Sequence, residues 1–419
     1  MSNFHQSPSK AALSAAQTSL GGGVNGLAVL CGVLGVAGLA AGLFLGSNRG
    51  DYLQYFFHSY LWNYCFVLSI ALGALFFVLL QHSTRAGWSV TVRRLAEFLA
   101  APFGLMAALF LPILISALIG QHDTEWAKYT IYEWAVPTAA KASESLVHKI
   151  PYLNPTFFGI RAIFYFLVWW LLGRYYLAKS LGQDQTGDAG VTLRLERLSY
   201  VAILLYALTI TFAAIDWMMS LMPDWYSTIF GLYYYSGCGL AGMAMLVLVA
   251  VALQSAGRLT DAITVEHYHD LGKLLFMFVV FWGYIAFSQY LLIWYANIPE
   301  ETQWFLMRQN GAWKWVSLAL LFGQLLIPFV ALLSREIKRR KMLLGFWAAW
   351  VLAFHWLDLY WVVMPSMKAD RPPFGAIDVC LLVGLGGLYA AGVLRTMAHR
   401  PLIPMADPRL EESLAFENV

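Results

Sequence analysis

Charge is what this sequence has least of. Asp, Glu, Lys and Arg together make up 12% of its 419 residues, roughly half the share of an ordinary soluble domain. With 60% hydrophobic residues and a mean hydropathy of +0.62, the chain reads as an all-α polytopic membrane protein. Cysteine is as scarce: Cys31, Cys65, Cys238 and Cys380 stand singly in apolar stretches, with no CxxC and no CxxCH. A disulfide framework, a thiolate metal site and covalently attached haem are therefore not expected. Long basic runs are missing too, and a net charge of +3 offers no surface for nucleic acid.

What is present is a series of apolar runs, each long enough to cross ~30 Å of hydrocarbon with about 20 residues. Ten are expected, near residues 25–46, 59–81, 95–118, 158–178, 198–218, 229–254, 271–296, 312–333, 342–364 and 376–395. The segment 1–24 is polar and carries only Lys10. The run behind it is too long for a signal-peptide core, so it reads as a first span. With the N-terminus inside, eighteen Lys and Arg residues face the cytoplasm and nine the opposite side. Both termini, including the tail 396–419, are thus expected to be cytoplasmic. The one long outward loop, 119–157, holds Trp126, Tyr129, Tyr132 and Trp134, which suit either an interfacial cap or an external binding face.

The first and last spans differ from the rest. Gly32, Gly35, Gly38, Gly42 and Gly46, and Gly384, Gly386, Gly387 and Gly392, let helix backbones approach closely. These spans are expected to dock peripherally, on their own bundle or on another subunit. Between them, residues 59–218 and 229–364 read as two parallel-related four-helix bundles. Phe212, Ile215, Asp216, Met222 and Pro223 recur as Phe354, Leu357, Asp358, Met364 and Pro365 at an offset of 142. Tyr60, Cys65 and Gln81 recur as Tyr233, Cys238 and Gln254 at an offset of 173. Both offsets correspond to a shift of four spans, an even number, so the copies run in the same direction. Many carriers instead use inverted repeats with paired interrupted helices, and no such pair stands out.

Intramembrane ionisable groups are costly, at least ~2.5 to 3.5 kcal/mol each on insertion scales. His355 and Asp358 share one face of the ninth span, three residues apart, roughly 20 and 24 Å from its basic end. Asp216, Gln289 and Tyr290 are expected at a similar depth. These five are the candidates for a quinone-facing pocket or proton path, since a carboxylate beside an imidazole can take a proton from a quinol hydroxyl. The alternative is a hydrated or hydrogen-bonded structural role at the membrane rim. On the inner side, Glu97, His267, His269 and Lys273 are candidates for proton entry. The blander reading pairs Glu97 with Arg93 four residues before it and lets Lys273 snorkel beside Asp270.

At the seventh span the chain acquires a likeness. Asp270-Leu271-Gly272-Lys273, Phe287-Ser288-Gln289-Tyr290 and Tyr295-Ala296-Asn297-Ile298-Pro299-Glu300-Glu301-Thr302 closely resemble the ActF-type subunits of alternative complex III, a bacterial quinol:electron-acceptor oxidoreductase. Further matching blocks are Tyr152-Leu153-Asn154 with Phe157-Phe158 and Arg161, Asp216-Trp217-Met218, Ser227-Thr228-Ile229-Phe230-Gly231, and Asp358-Leu359-Tyr360-Trp361 with Met364-Pro365. The resemblance implies an NrfD or polysulfide-reductase type of membrane subunit in the bacterial inner membrane. It would sit beside a sister NrfD-like subunit, with multihaem cytochrome c and iron-sulfur subunits outside. It also implies lipids and menaquinone or another quinol as ligands, with no cofactor held covalently or by metal ligation. In that family's arrangement the quinol site next to an iron-sulfur cluster belongs to the sister subunit. This chain's part would then be quinone-facing, proton-conducting or supporting. A stand-alone proton-coupled transporter and a purely structural anchor are the competing expectations.

Overall fold

The computed structural model describes residues 13, 15–121, 125–142, 144–369 and 371–418. Most of the expected N-terminal tail, Lys10 included, lies outside them. Among the described residues ten helices are long and apolar enough to span a membrane. They are α1 Gly23–Ser47, α2 Gln54–Ser83, α3 Gly87–Ile119, α4 Pro155–Thr186, α5 Gly190–Leu221, α6 Phe230–Ser255, α7 Val265–Ala296, α8 Trp313–Leu333, α9 Lys341–Met367 and α10 Ala376–Met397. Several run well past their apolar windows: α4 continues eight residues beyond 178 and α5 begins eight before 198. Helical hydrogen bonding does not stop where apolarity does, so the polar ends project beyond the hydrocarbon.

α2 and α6 form the centre. Each touches α5 and α9 as well as the other. They cross at bare backbone, because a Cβ on Gly73 would strike the Cys238 carbonyl and one on Gly242 would strike Gly73. Small residues at such a crossing replace the hydrophobic drive that lipid cannot supply. The same device joins α1 to α10, where a Cβ on Gly38 would lie 2.6 Å from the Cys380 carbonyl and one on Gly35 2.7 Å from the Leu388 amide. The two glycine-rich helices therefore dock on each other, and the remaining face of α1 stays exposed from Leu27 to Phe44.

Interrupted helices do occur, although not as the corresponding pair whose absence the sequence reading noted. α3 breaks at Ala100–Pro102 and again at Phe110. Pro102 and Pro112 cannot donate backbone hydrogen bonds, and tyrosine hydroxyls serve carbonyls along the broken stretch: Tyr389 bonds Leu99 at 2.6 Å, Tyr64 bonds Met106 at 2.8 Å and Tyr60 bonds Leu109 at 2.7 Å. α8 contains a π-turn at Leu321–Leu326 just ahead of Pro328, and Trp350 donates to the Gly323 carbonyl at 2.8 Å. Irregular backbone at membrane depth is tolerated where protein groups satisfy it.

The described part of the loop 119–157 folds as a lid over the helices that precede and follow it. Tyr132 and Trp134 are buried against Phe158, and the Tyr132 hydroxyl donates to the Trp217 carbonyl at 3.1 Å. Trp126 stays 64% exposed. On the opposite, basic face the C-terminal tail is part of the core. Leu402, Ile403, Leu410 and Leu414 are buried, and the Leu402 and Leu259 amides bond the Thr18 and Gln17 carbonyls at 2.8 and 3.1 Å. Both described ends thus share one face.

Candidate functional site

Asp358 is fully buried, 1% exposed, and so is not the hydrated rim group that the sequence left open. α9 presents it to α6 and α7. The Tyr233 hydroxyl donates to Oδ1, the Trp282 indole N–H donates to Oδ2 at 3.2 Å, and His355 Nδ1 lies 3.7 Å from Oδ2. On its other side His355 Nε2 lies 3.0 Å from Ser69 Oγ. Ser69 gives its own proton to the Phe66 carbonyl at 2.6 Å, so its oxygen is left to accept from Nε2–H. That tautomer aims the lone pair of Nδ1 at a carboxylate oxygen, and Nδ1 has no hydrogen-bond partner among the described residues. The 3.7 Å gap between Nδ1 and Oδ2 is wider than a direct hydrogen bond. The ring fits because position 237 is glycine: a Cβ there would lie 2.5 Å from Cε1.

Behind Tyr233 and Trp282 opens a cavity of about 520 Å³, walled by α7, the short helix Pro299–Gln309, and the α8 segment that includes the start of the π-turn. Its lining mixes aromatic side chains, Phe287, Tyr290, Trp304 and Trp361 among them, with leucines of α8 and the polar groups of Tyr233, Gln289, Gln309, Lys314 and Ser317. Gln289 is 3% exposed and its carbonyl oxygen is without a partner among the described residues. Arg308, also fully buried, holds the cavity floor to the end of α9. It donates to the carbonyls of Trp304, Trp361 and Val362 at 2.8, 3.0 and 2.7 Å and lies 3.5 Å above the Trp304 ring.

Asp216 belongs to a different site. It too is buried, and Arg161 meets both its oxygens at 2.7 and 2.9 Å while Tyr165 adds a third bond at 2.8 Å. Tyr152 and Phe157 cover the guanidinium at 3.9 and 4.4 Å. This is a bidentate, fully paired carboxylate. Close by, burial pulls the Lys149 ammonium below the usual lysine range. Its amine donates to the Pro223 carbonyl. A third buried carboxylate, Asp378, escaped the sequence reading. It accepts from Tyr55, from Ser59 at 2.5 Å and from the Gly375 amide at 2.8 Å, closing the first turn of α10. Its signal was an acid three residues into a helix that starts after Gly375.

The inner candidates do not converge on one path. Glu97 lies 3.8 Å from both Arg93 and Arg94. The local pair expected for it is loose, because Arg93 reaches Asp407 of the tail and Arg94 reaches Asp184. Neither carboxylate oxygen of Glu97 has a described hydrogen bond. His267 caps α7, its Nδ1 3.1 Å from the Thr264 amide, and its Nε2 lies 3.3 Å from Ser413 of the tail. Lys273 pairs with Asp270 and bonds Asn418 at 3.0 Å, while His269 faces the rim with no partner for Nδ1 among the described residues. Between Ser69 and Gln81, α2 carries only apolar residues over about 18 Å, so this central helix offers no polar link between inner and outer groups. Among the described residues no three His, Cys, Asp or Glu side chains gather as a metal site.

Compared with known proteins, the chain matches no protein-family model and no curated protein.

Proposed function

We propose that the chain is a membrane subunit of a quinol-oxidising respiratory assembly in the bacterial cytoplasmic membrane, with both termini cytoplasmic. The sequence likeness to the ActF-type, NrfD-like subunits of alternative complex III motivates this reading, and the second-half site carries it. The buried pair of His355 and Asp358, 3.7 Å apart, stands next to a cavity large enough for a quinol ring. A quinol such as menaquinol placed there would meet Tyr233 and Gln289 as hydrogen-bonding groups. A hydroxyl proton would pass by way of Tyr233 to the Asp358–His355 pair. The chain has no cysteine cluster or haem-attachment motif, so the electrons would leave through iron-sulfur or haem groups of partner subunits.

The test is to isolate the assembly carrying Asp358→Asn or His355→Phe and measure quinol-dependent electron transfer. Turnover should fall by ~10² or more, the size of a lost general base, with haem and iron-sulfur subunits still co-purifying. Wild-type turnover in a fully assembled variant would sink the proposal. A structural anchor is the second reading, favoured by the complete pairing of Asp216, and it applies to the first half.

A further inference from the structure

On the basic face, the short helix Arg335–Arg339 between α8 and α9 lies across α7. Gly272 permits the approach: a Cβ there would come within 2.8 Å of Lys338 Cγ and 2.9 Å of its Cβ. The Lys338 side chain is sunk in this slot, leaving the residue 9% exposed, with its ammonium 5.4 Å from the centre of the Phe276 ring. The nearby acids are already engaged, Asp270 by Lys273, Glu266 by Arg339 at 2.5 Å and Glu336 by Arg340 at 3.5 Å. Among the described residues no acceptor bonds Lys338. Lys273, Lys338, Arg335 and the acid Asp270 all lie within electrostatic reach of the His269 ring, whose buried Nδ1 is also without a partner there. Burial and the neighbouring Lys273 hold the Lys338 ammonium below the usual lysine range.

Lys338, its stem buried and its ammonium without an acid, stands beside Arg335 and Lys273 and calls for an anion from outside the chain. We propose that this slot binds the phosphate of an anionic phospholipid, held by Lys338, Arg335 and Lys273. An acyl chain has a path beside it: the Phe276 ring stacks on Phe329 at 5.5 Å, and α8 exposes Val330 and Leu333 by 67% and 55%. That apolar wall, continuous with the cations, selects a lipid over free phosphate. Basic pockets between membrane helices bind headgroups in this way.

The whole chain, purified in detergent and stripped of lipid, is titrated with phosphatidylglycerol, phosphatidylcholine or inorganic phosphate. One-lipid adducts are counted by native mass spectrometry and unfolding midpoints are recorded in parallel. Wild type should retain phosphatidylglycerol about tenfold better than phosphatidylcholine and gain thermal stability from it. Lys338→Gln and, separately, the exposed Arg335→Gln should each lose most of that preference, and Lys338→Arg should keep it. Arg335→Gln carries the test if Lys338→Gln does not fold. Equal retention of the two lipids by wild type, or an unchanged preference in the folded glutamine variants, overturns the site. A midpoint shift of the same size from inorganic phosphate alone overturns the lipid as its occupant.

Discussion

The two halves of the protein each bury a carboxylate near the end of a long helix, and they treat it in opposite ways. In the first half Arg161 is given to Asp216 and bonds both of its oxygens. In the second half a buried cation, Arg308, bonds no carboxylate and caps the carbonyl end of α9. Asp358 keeps a tyrosine, an indole and a histidine instead. A permanently charged partner fixes the state of an acid, whereas neutral donors and an imidazole leave its proton exchangeable. The neighbouring cavities do not follow that division: the space of about 290 Å³ beside Asp216 is lined by Lys149, Tyr152 and Ser220 among others, and the one between α7 and α8 contains Tyr233 and Gln289.

That contrast breaks most visibly at Arg161. Arg161→Leu should leave Asp216 buried without its counter-charge and cost about 3–5 kcal/mol, read as a fall in thermal stability or in recoverable folded protein. Arg161→Leu combined with Asp216→Leu should regain most of the loss, and a double variant no better than the single one would contradict the paired-carboxylate reading. Next come the two tyrosines. Tyr233→Phe should lower quinol turnover of the assembly about tenfold while costing only about 1 kcal/mol of stability. Tyr165→Phe, which leaves both Arg161 bonds in place, should cost similar stability and leave turnover unchanged; equal turnover effects would erase the distinction between the halves.

A smaller effect is expected at Gln289→Leu, a several-fold rise in apparent KM for quinol with kcat held, because it touches the ring and not the proton acceptor. The smallest concerns Lys149 on the first-half side. Its folded-state affinity for a proton is below the ordinary value near 10.5, so the unfolded chain binds more protons between the two values. Stability should therefore rise with pH across that window. Lys149→Met should remove that slope from the unfolding midpoint measured between pH 8 and 10.

The candidate site was only half legible. His355, Asp358, Gln289 and Tyr290 could be picked out as polar groups in apolar runs, because lipid makes each of them costly wherever it sits. Their partners could not. Tyr233 and Trp282 look like ordinary interfacial aromatics in sequence, and Ser69 like any small residue in a span. Arg308 entered only as a charge counted for orientation and Arg161 as that and as part of a matching block, although a lone arginine in the apolar opening of α4 could have been matched to the lone Asp216. Glu97 was assigned the neighbour that sequence offers, Arg93, and the tail supplied the stronger partner for that arginine, Asp407.

The sequence by itself determined the ten spans, their approximate limits and the docking character of the first and last. Each of these depends on local quantities, the apolarity of a window and the size of residues one turn apart. Only the tertiary structure decided which carboxylate is locked by an arginine and which receives a tyrosine hydroxyl instead. Those pairings join residues 55 and 125 positions apart, and helix packing alone sets which faces meet.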